Sequence, residues 1–535
     1  MDIHAGLVGH WTLDGDCDDH SGNANHGRID GDVAFTAPLP LGGGPGAALF
    51  DGRSATITIP HNESLALSTA DFTLAAWVNS SRVTTDVPGD ILSKFDPATR
   101  RGFNFGMQSA AGVASSQSNW RNVFFGIDNE KVEPDWTNNG RPGNAQCVMG
   151  MAVHAGSLYA GTYEGEAGET GHVYRYAGGP DWVDCGAPAD CNAVSTLAVY
   201  DGDLYAGVSC YRAQGSSLPE SPNRRPGGSV YRYAGGTEWV DCGQLGDAED
   251  VFGLAVYNGE LYGSAMYSAG MFRYAGGKTW LPCGDPGTRI AVLGVFQGGL
   301  YATGYDVGGV FRYEGERRWS FCGNASDSTQ LYSFASYQGR LHTGVWPSGS
   351  VYRQDDGLPW LDCGRLGEEL EVMGMMVYNG KLYGGTLPTG SVYRYDGEGE
   401  WVSTGQLDTT PDVKYRRAWT MAVHQGRLFC GTLPSGNVLS LEAGKNVTHD
   451  HALPGGWHHL AAVRAGGELR LYIDGALTAT STPFSAADYD LATNEPLHIG
   501  NGQIGPFSGS LSDVRLYNRA LTNTQVAAIF ERQRM

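Results

Sequence analysis

The stretch VYNGELYGS (256–264) reads as two short strands hinged at Asn258-Gly259, a pairing that favours a two-residue hairpin turn. It does not stand alone. VHAGSLYAGT (153–162), VYDGDLYAG (199–207), VFQGGLYATG (295–304), SYQGRLHTG (336–344), VYNGKLYGGT (377–386) and VHQGRLFCGT (423–432) repeat it. The aromatic before each turn is His154, Tyr200, Tyr257, Phe296, Tyr337, Tyr378 and His424, so the period runs from 39 to 57 residues. A period near 40–50 residues marks stacked units rather than one continuous core.

A second motif, a Trp usually followed by Cys-Gly, also occurs seven times, at Trp136, Trp182, Trp239, Trp280, Trp319, Trp360 and Trp401. Between the two motifs lies a third strand, as in GSVYRY (228–233) and GMFRY (270–274). Four short strands per repeat describe a propeller blade, and seven copies of each motif predict seven blades. The last copy has no Trp strand after it, and Trp136 has no strands before it. Pairing Trp136 into the last blade closes the ring and removes an open sheet edge.

The flanks do not repeat. Residues 1–130 carry GHWTLDGDCDDHSGNANHGRI, ALFDGRSATITIP and FTLAAWVNSS, and residues 445–535 carry WHHLAAVRAGGELRLYIDGALTAT, PLHIGNG and FSGSLSDVRLYNRAL. This set resembles the laminin-G-like, concanavalin A-like jelly rolls attached to many bacterial surface and carbohydrate-active proteins. The expected architecture is all-β: a seven-bladed β-propeller over 131–444 inserted into a β-sandwich built from 1–130 and 445–535. The resemblance implies an extracellular or cell-surface protein with its leader absent from this chain, and a protein kept inside the cell stays open as the alternative. Met1 is followed within a few residues by a strand-like GLVGHW (6–11), with no basic or apolar leader region.

Composition narrows the partners. Lys+Arg number 36 against 57 Asp+Glu, a net charge of −21, which argues against a nucleic-acid backbone as ligand. No apolar run reaches the roughly 18 residues of a membrane helix. Oligomeric state is left open.

Of ten cysteines, Cys185, Cys242, Cys283, Cys322 and Cys363 occupy one position of five blades, too far apart to bridge, and are expected as buried thiols. Free thiols fit a reducing compartment, in tension with the surface habit of the jelly-roll family. Cys191 with Cys210, and Cys147 with Cys430, remain open as pairs. Asp14, Asp16, Asp18, Asp19, Asn23 and Asn25 crowd one flank segment, a set of hard oxygens suited to calcium. In the jelly-roll family such a loop often helps hold a structural calcium. The resemblance carries that role to Asp19 and Asp51, and to Asp513.

Within a blade, the inner-to-second and third-to-outer turns are tight and share one face. The other two connections vary and share the opposite face, where binding is usually placed. That face collects Tyr163, Tyr211, Arg212, Tyr267, Arg289, Tyr305, Asp306, Trp346 and Trp419, a mixture of rings and polar groups that suits sugars. Lys414-Tyr415-Arg416-Arg417 puts three cations in four residues of an acidic chain, either a solvated loop or a carboxylate or sulfate site. The propeller is similar to those of lyases that cleave uronic-acid polymers, which need a cation for the carboxylate and a proton-transfer group. Tyr415, Arg416 and Arg417 have those types and are the catalytic candidates. Three functions follow: a polysaccharide lyase or glycoside hydrolase acting on an acidic glycan, a non-catalytic lectin-like protein, or a protein-interaction scaffold.

Overall fold

The computed structural model describes residues 2–36, 46–80, 88–130, 135–216, 218–268, 270–355 and 359–534. The expected domain boundary at 130/131 abuts 131–134, which lie outside them. Among the described residues, strands between Thr137 and Leu441 form seven four-stranded antiparallel units. The first runs Cys147–His154, Ser157–Tyr163, Val173–Gly178 and Asp181–Asp184, and the next five follow the same order. The seventh takes Arg417–His424, Arg427–Leu433 and Val438–Leu441 from one end of the insert and Thr137–Asn138 from the other. The chain is a β-propeller carried on a two-sheet β-sandwich.

Both repeated motifs have a physical reason. In every inner-to-second turn the two central residues have positive φ, as at Asn258 (50°) and Gly259 (72°), the type I′ geometry that matches strand twist. The Trp motif links blades. Trp239, Trp280, Trp319, Trp360 and Trp401 donate their indole N–H to the carbonyls of Cys185, Cys242, Cys283, Cys322 and Cys363 of the preceding blade, at 2.8–3.2 Å. Trp182 reaches the Asn139 carbonyl at 2.9 Å and Trp136 the Thr404 hydroxyl at 3.3 Å, which completes the ring. Gly after Cys is required by proximity: a Cβ on Gly243 (φ +92°) would lie 2.3 Å from the Lys278 carbonyl oxygen of the next blade. All ten cysteines are free, including Cys191 with Cys210 and Cys147 with Cys430.

The flanking segments build two packed antiparallel sheets. One orders Ala34–Thr36, Ala47–Asp51, Ser508–Tyr517, Phe72–Ser80, Gly456–Ala465, Glu468–Ile473 and Ala476–Thr480, with Leu7–Trp11 against Ser508–Tyr517. The other orders Arg28–Asp30, Thr56–Ile59, Leu497–Ile499, Gly89–Asp96, Arg101–Val113, Ser116–Asn129 and Lys445–His449. Strands from both termini interleave around one apolar core that includes Trp11, Phe72, Phe105, Phe125, Leu460 and Leu511. Helix Asn523–Arg534 packs Val526 and Ile529 against Tyr472 and Tyr517 on the outer side.

The sandwich covers the tight-turn face. Gly156 N–H donates to the Asp450 carbonyl (2.9 Å), Gln425 N–H to the Asp450 carboxylate (2.9 Å), Gln338 N–H to the Gln503 carbonyl (2.8 Å) and Asn379 Nδ2 to the Ile127 carbonyl (3.0 Å). The hairpin Arg101–Val113 and Ser116–Asn129 then leaves the sandwich and enters the propeller axis. Inner strands normally leave one row of backbone N–H and C=O groups unpaired. The hairpin's short polar side chains satisfy them. Asn119 donates to the Val423 carbonyl (2.8 Å) and accepts from Val423 N–H (3.0 Å). Gln117 accepts from Val256 N–H (2.7 Å), Gln108 donates to the Val377 carbonyl (2.9 Å), and Ser115 bridges the Met149 and Ser195 carbonyls. Gly112 fits between Leu293 and Phe334, so the hairpin touches all seven inner strands.

Candidate functional site

On the opposite face the loop ends surround a cavity of about 570 Å³, inside the roughly 300–1,000 Å³ range of ligand pockets. Its floor is apolar, formed by Phe252, Met266, Met373 and Leu387, and Ala114 at the hairpin tip joins the same cluster. Its wall brings together Tyr211, Arg212, Tyr267, Arg289, Tyr305, Trp346, Tyr415, Arg417 and Trp419, nine of the twelve residues expected to act on a glycan.

Strand alternation decides who enters. Arg417 opens the inner strand of the seventh blade, and residues two apart share a side. Tyr415, Arg417 and Trp419 therefore face the cavity, and Arg416 faces away. Arg416 is corrected from a catalytic to a bracing role: its Nε donates to the Thr410 carbonyl (2.6 Å) and its N–H to the Pro388 carbonyl (2.9 Å). Tyr163 lies beneath the wall, fully buried with its ring 5.1 Å from Tyr211, and contributes no lining surface. Asp306 stands outside the lining set and holds Arg289 through two contacts, Nε–Oδ2 at 3.0 Å and Nη2–Oδ1 at 2.6 Å.

The cations differ in what surrounds them. Arg289 stacks on Tyr305 (4.5 Å) and is neutralised by Asp306; Arg212 stacks on Tyr267 (4.4 Å) and pairs with Glu249 (3.4 Å). Arg417 is only 8% exposed, sits 5.6 Å from the Trp419 ring and 5.8 Å from that of Tyr415, and has no carboxylate within 4 Å among the described residues. Among the described residues its one acceptor is the Gly215 carbonyl at 3.4 Å, and Nε and Nη1 are buried without a partner, as is the Trp419 indole N–H.

Glu371 completes this set and has no counterpart among the expected residues. It is 4% exposed, its Oε1 has no partner, and burial pushes its carboxyl up to about 7 although the Arg417 charge opposes the shift. Gln330, Glu371 and Arg417 stand seven residues before the turn aromatic in three successive inner strands, a position held by Cys147, Ala193, Asp250 and Arg289 in the other blades. Aligning the repeats would have exposed Glu371 within a run of five polar residues, Asp250, Arg289, Gln330, Glu371 and Arg417. Read linearly, Glu371 disappears into the acidic run Gly367-Glu368-Glu369-Leu370-Glu371.

The expected calcium carboxylates each accept hydrogen bonds from protein donors. Asp19 accepts N–H from His10 (2.9 Å), Ser21 (2.8 Å) and Asn25 (2.9 Å); burial works against its charge, yet these donors hold its carboxyl below the usual range. Asp51 accepts N–H from Arg53, Ser54 and Ala55, while Asp513 bonds His10 (2.8 Å) and Arg515 (2.8 Å). No three His, Cys, Asp or Glu among the described residues group as a metal site.

A sequence model of the "Concanavalin A-like lectin/glucanases superfamily" matches residues 407–527, from the last blade through most of the second sandwich segment. No curated protein matches the chain. Among solved structures, the chain is similar to a catalytically inactive virginiamycin B lyase from Staphylococcus aureus bound to quinupristin, at 8% identity and TM-score 0.44, covering 58% of this chain and 99% of that one. It is also similar to the extracellular domain of a one-component system of B. thetaiotaomicron, at 11% identity and TM-score 0.41, over 64% and 46% of the two chains. Domain 4 of AbnA, an extracellular arabinanase of Geobacillus stearothermophilus in complex with arabinotriose, matches at 12% identity and TM-score 0.26, over 98% and 97%. None of these likenesses bears on what this chain binds. No helix among the described residues is long and apolar enough to cross a membrane.

Proposed function

We propose that the chain is a carbohydrate-active protein that holds an acidic glycan in the loop-face cavity. The observation that carries this is Arg417, a buried guanidinium with two unpartnered nitrogens between two aromatic rings. A buried charge left unpaired is costly, so its retention supports an anionic ligand as its missing partner. Guanidinium presents a planar fork that matches a carboxylate. Trp346, Tyr415 and Trp419 offer faces for the apolar sides of sugar rings, and the Trp419 indole N–H supplies a donor for a hydroxyl.

Calorimetric titration with uronate oligosaccharides, and with the same oligosaccharides after carboxyl reduction, tests the reading. A hydrogen bond to a charged group contributes roughly 1.5–3 kcal/mol, so Arg417→Ala and carboxyl reduction should each weaken binding by about tenfold or more. Affinity should also fall with added salt. Equal binding of charged and reduced oligosaccharides would remove the acidic class, and no binding of either would remove the site.

A further inference from the structure

We infer that the cavity is catalytic, with Glu371 as the single proton-transfer group of a syn β-elimination that cleaves the glycan at a uronate residue. This rests on the reading of the cavity as an acidic-glycan site and adds a reaction, a base and a stereochemical class of substrate to it.

The cavity wall holds two carboxyls, Glu371 and Glu220. Glu220 is committed to Arg224 at 2.9 Å, whereas Glu371 keeps Oε1 free in a water-poor position. Hydrolysis by paired carboxyls needs a second free acid about 5–9.5 Å away, and the lining residues do not provide one. Elimination needs less: one base, and one cation on the carboxylate of the sugar being cleaved. Glu371 and Arg417 begin adjacent inner strands and feel each other's charge without forming an ion pair. That separation leaves room for a carboxylate on Arg417 with the neighbouring C5–H toward Glu371.

The step balances within these groups. Glu371 as carboxylate takes the C5 proton, and the electron pair of that bond forms the C4–C5 double bond. Negative charge that develops on the uronate carboxylate during transfer lies on the Arg417 guanidinium, the kind of fixed charge that lowers such barriers most. The C4–O bond breaks, and Glu371, now neutral, returns the proton to the leaving oxygen. No oxidant, water or metal is consumed.

Three of the lining tyrosines are poorer bases. Tyr211 is hydrogen-bonded to Ser216, the Tyr267 hydroxyl accepts from Arg212 N–H, and burial raises both phenols and that of Tyr332. The titratable and charged groups facing Glu371 are Arg417 of the following blade and Tyr332 of the preceding one. With its carboxyl held at about 7, Glu371 can both accept and return a proton near neutrality. One group serving both atoms requires the C5 proton and the C4 oxygen on the same face of the ring. Glucuronate and mannuronate residues meet that condition; galacturonate does not.

The experiment uses the full chain with polymannuronate, a glucuronate-containing polymer and polygalacturonate, reading ultraviolet absorbance of the C4–C5 unsaturated product and binding in parallel. The expected result is turnover on the first two and none on the third. Glu371→Gln, a near-isosteric change, should lose at least a hundredfold in kcat while retaining binding and melting temperature. Wild-type kcat/KM should fall as pH drops below about 7, where Glu371 protonates, and the residual rate of Glu371→Gln should not follow that profile. Binding without any unsaturated product overturns the reaction and leaves the glycan site standing. Turnover that survives Glu371→Gln, or is lost in Tyr415→Phe alone, overturns Glu371 as the base. Turnover on polygalacturonate overturns the syn geometry. Absence of all binding removes the site itself.

Discussion

The two faces of the propeller differ in how far buried polar groups converge on one space. On the covered side and along the axis, most of the polar side chains that join propeller to sandwich meet partners, although Ser118 Oγ, Asn104 Nδ2 and Asn379 Oδ1 do not. Asn119 pairs both ways with Val423, Gln117 and Gln108 take up inner-strand backbone groups, and Asp450 receives two turn N–H groups. On the loop face, Glu371 Oε1, two Arg417 nitrogens and the Trp419 indole are buried with nothing to bond. A fold under pressure only for stability would fill or delete such groups. The covered face is built to hold the molecule together, and the open face to receive something.

The largest expected effect falls on the axis. Asn119→Ala strips the Val423 N–H and C=O of their partners inside the plugged channel, two buried groups at roughly 1–3 kcal/mol each. A loss of about 3 kcal/mol, read from the denaturant midpoint, is expected. Ligand binding at the cavity should survive in the fraction that is folded. If Asn119→Ala costs nothing, the hairpin is a passenger and the contrast between the faces is false.

A matched pair of glycines sharpens the same contrast. Gly112 at the hairpin tip has φ +84° and Gly168 in a loop of the first blade has φ +86°, so alanine pays a similar backbone strain at each. Their surroundings differ. A Cβ at Gly112 would lie 3.0 Å from Phe334 Cβ and 3.1 Å from the Leu293 carbonyl oxygen, whereas at Gly168 nothing stands within 4 Å. Gly168→Ala should cost about 1 kcal/mol and Gly112→Ala about 1–2 kcal/mol more. Equal melting temperatures for the two variants would mean that the axis is loosely packed.

These differences also mark what could be read from sequence. The Asn-Gly and Trp-Cys-Gly motifs announced the blades because each repeats a local geometry, a positive-φ turn and an indole clasp, that backbone physics imposes again and again. Ring closure by Trp136 was legible for the same reason. The plug was not. QSAAGVASSQSN (108–119) is small and polar, and nothing in it says that its partners are the inner edges of seven distant strands. In the site, the aromatic and Arg set was readable from loop placement, but of the two adjacent candidates Arg416 and Arg417 only the second lines the cavity, a choice that strand alternation makes. Glu371 was missed because its meaning lies in its repeat position, at the head of an inner strand, and not in its neighbours. Within the Asp19 cluster, Asp16 and Asp19 accept local N–H groups, a turn role that residue spacing alone does not separate from ion binding.

The smallest expected effect tests the open face on its own terms. Arg417→Met keeps an unbranched side chain of similar length while removing a buried charge whose one protein hydrogen bond is long, 3.4 Å to Gly215. It forfeits the approach to the Tyr415 and Trp419 rings, a contribution of roughly 0.5–2 kcal/mol for a cation over an aromatic face. Against that stands relief from burying an uncompensated guanidinium; replacing buried ionic groups with apolar ones of like volume is often neutral or stabilising by roughly 1–4 kcal/mol. Removing the Arg417 charge also removes the influence that lowers the Glu371 carboxyl, so Glu371 becomes more readily neutral and fits its apolar floor better. These terms leave the melting temperature unchanged or slightly raised, while affinity for an acidic oligosaccharide falls at least tenfold. Stability gained where binding is lost is the signature of a residue kept for its ligand. A marked drop in melting temperature would instead make Arg417 part of the scaffold, and the two faces would then differ in shape but not in purpose.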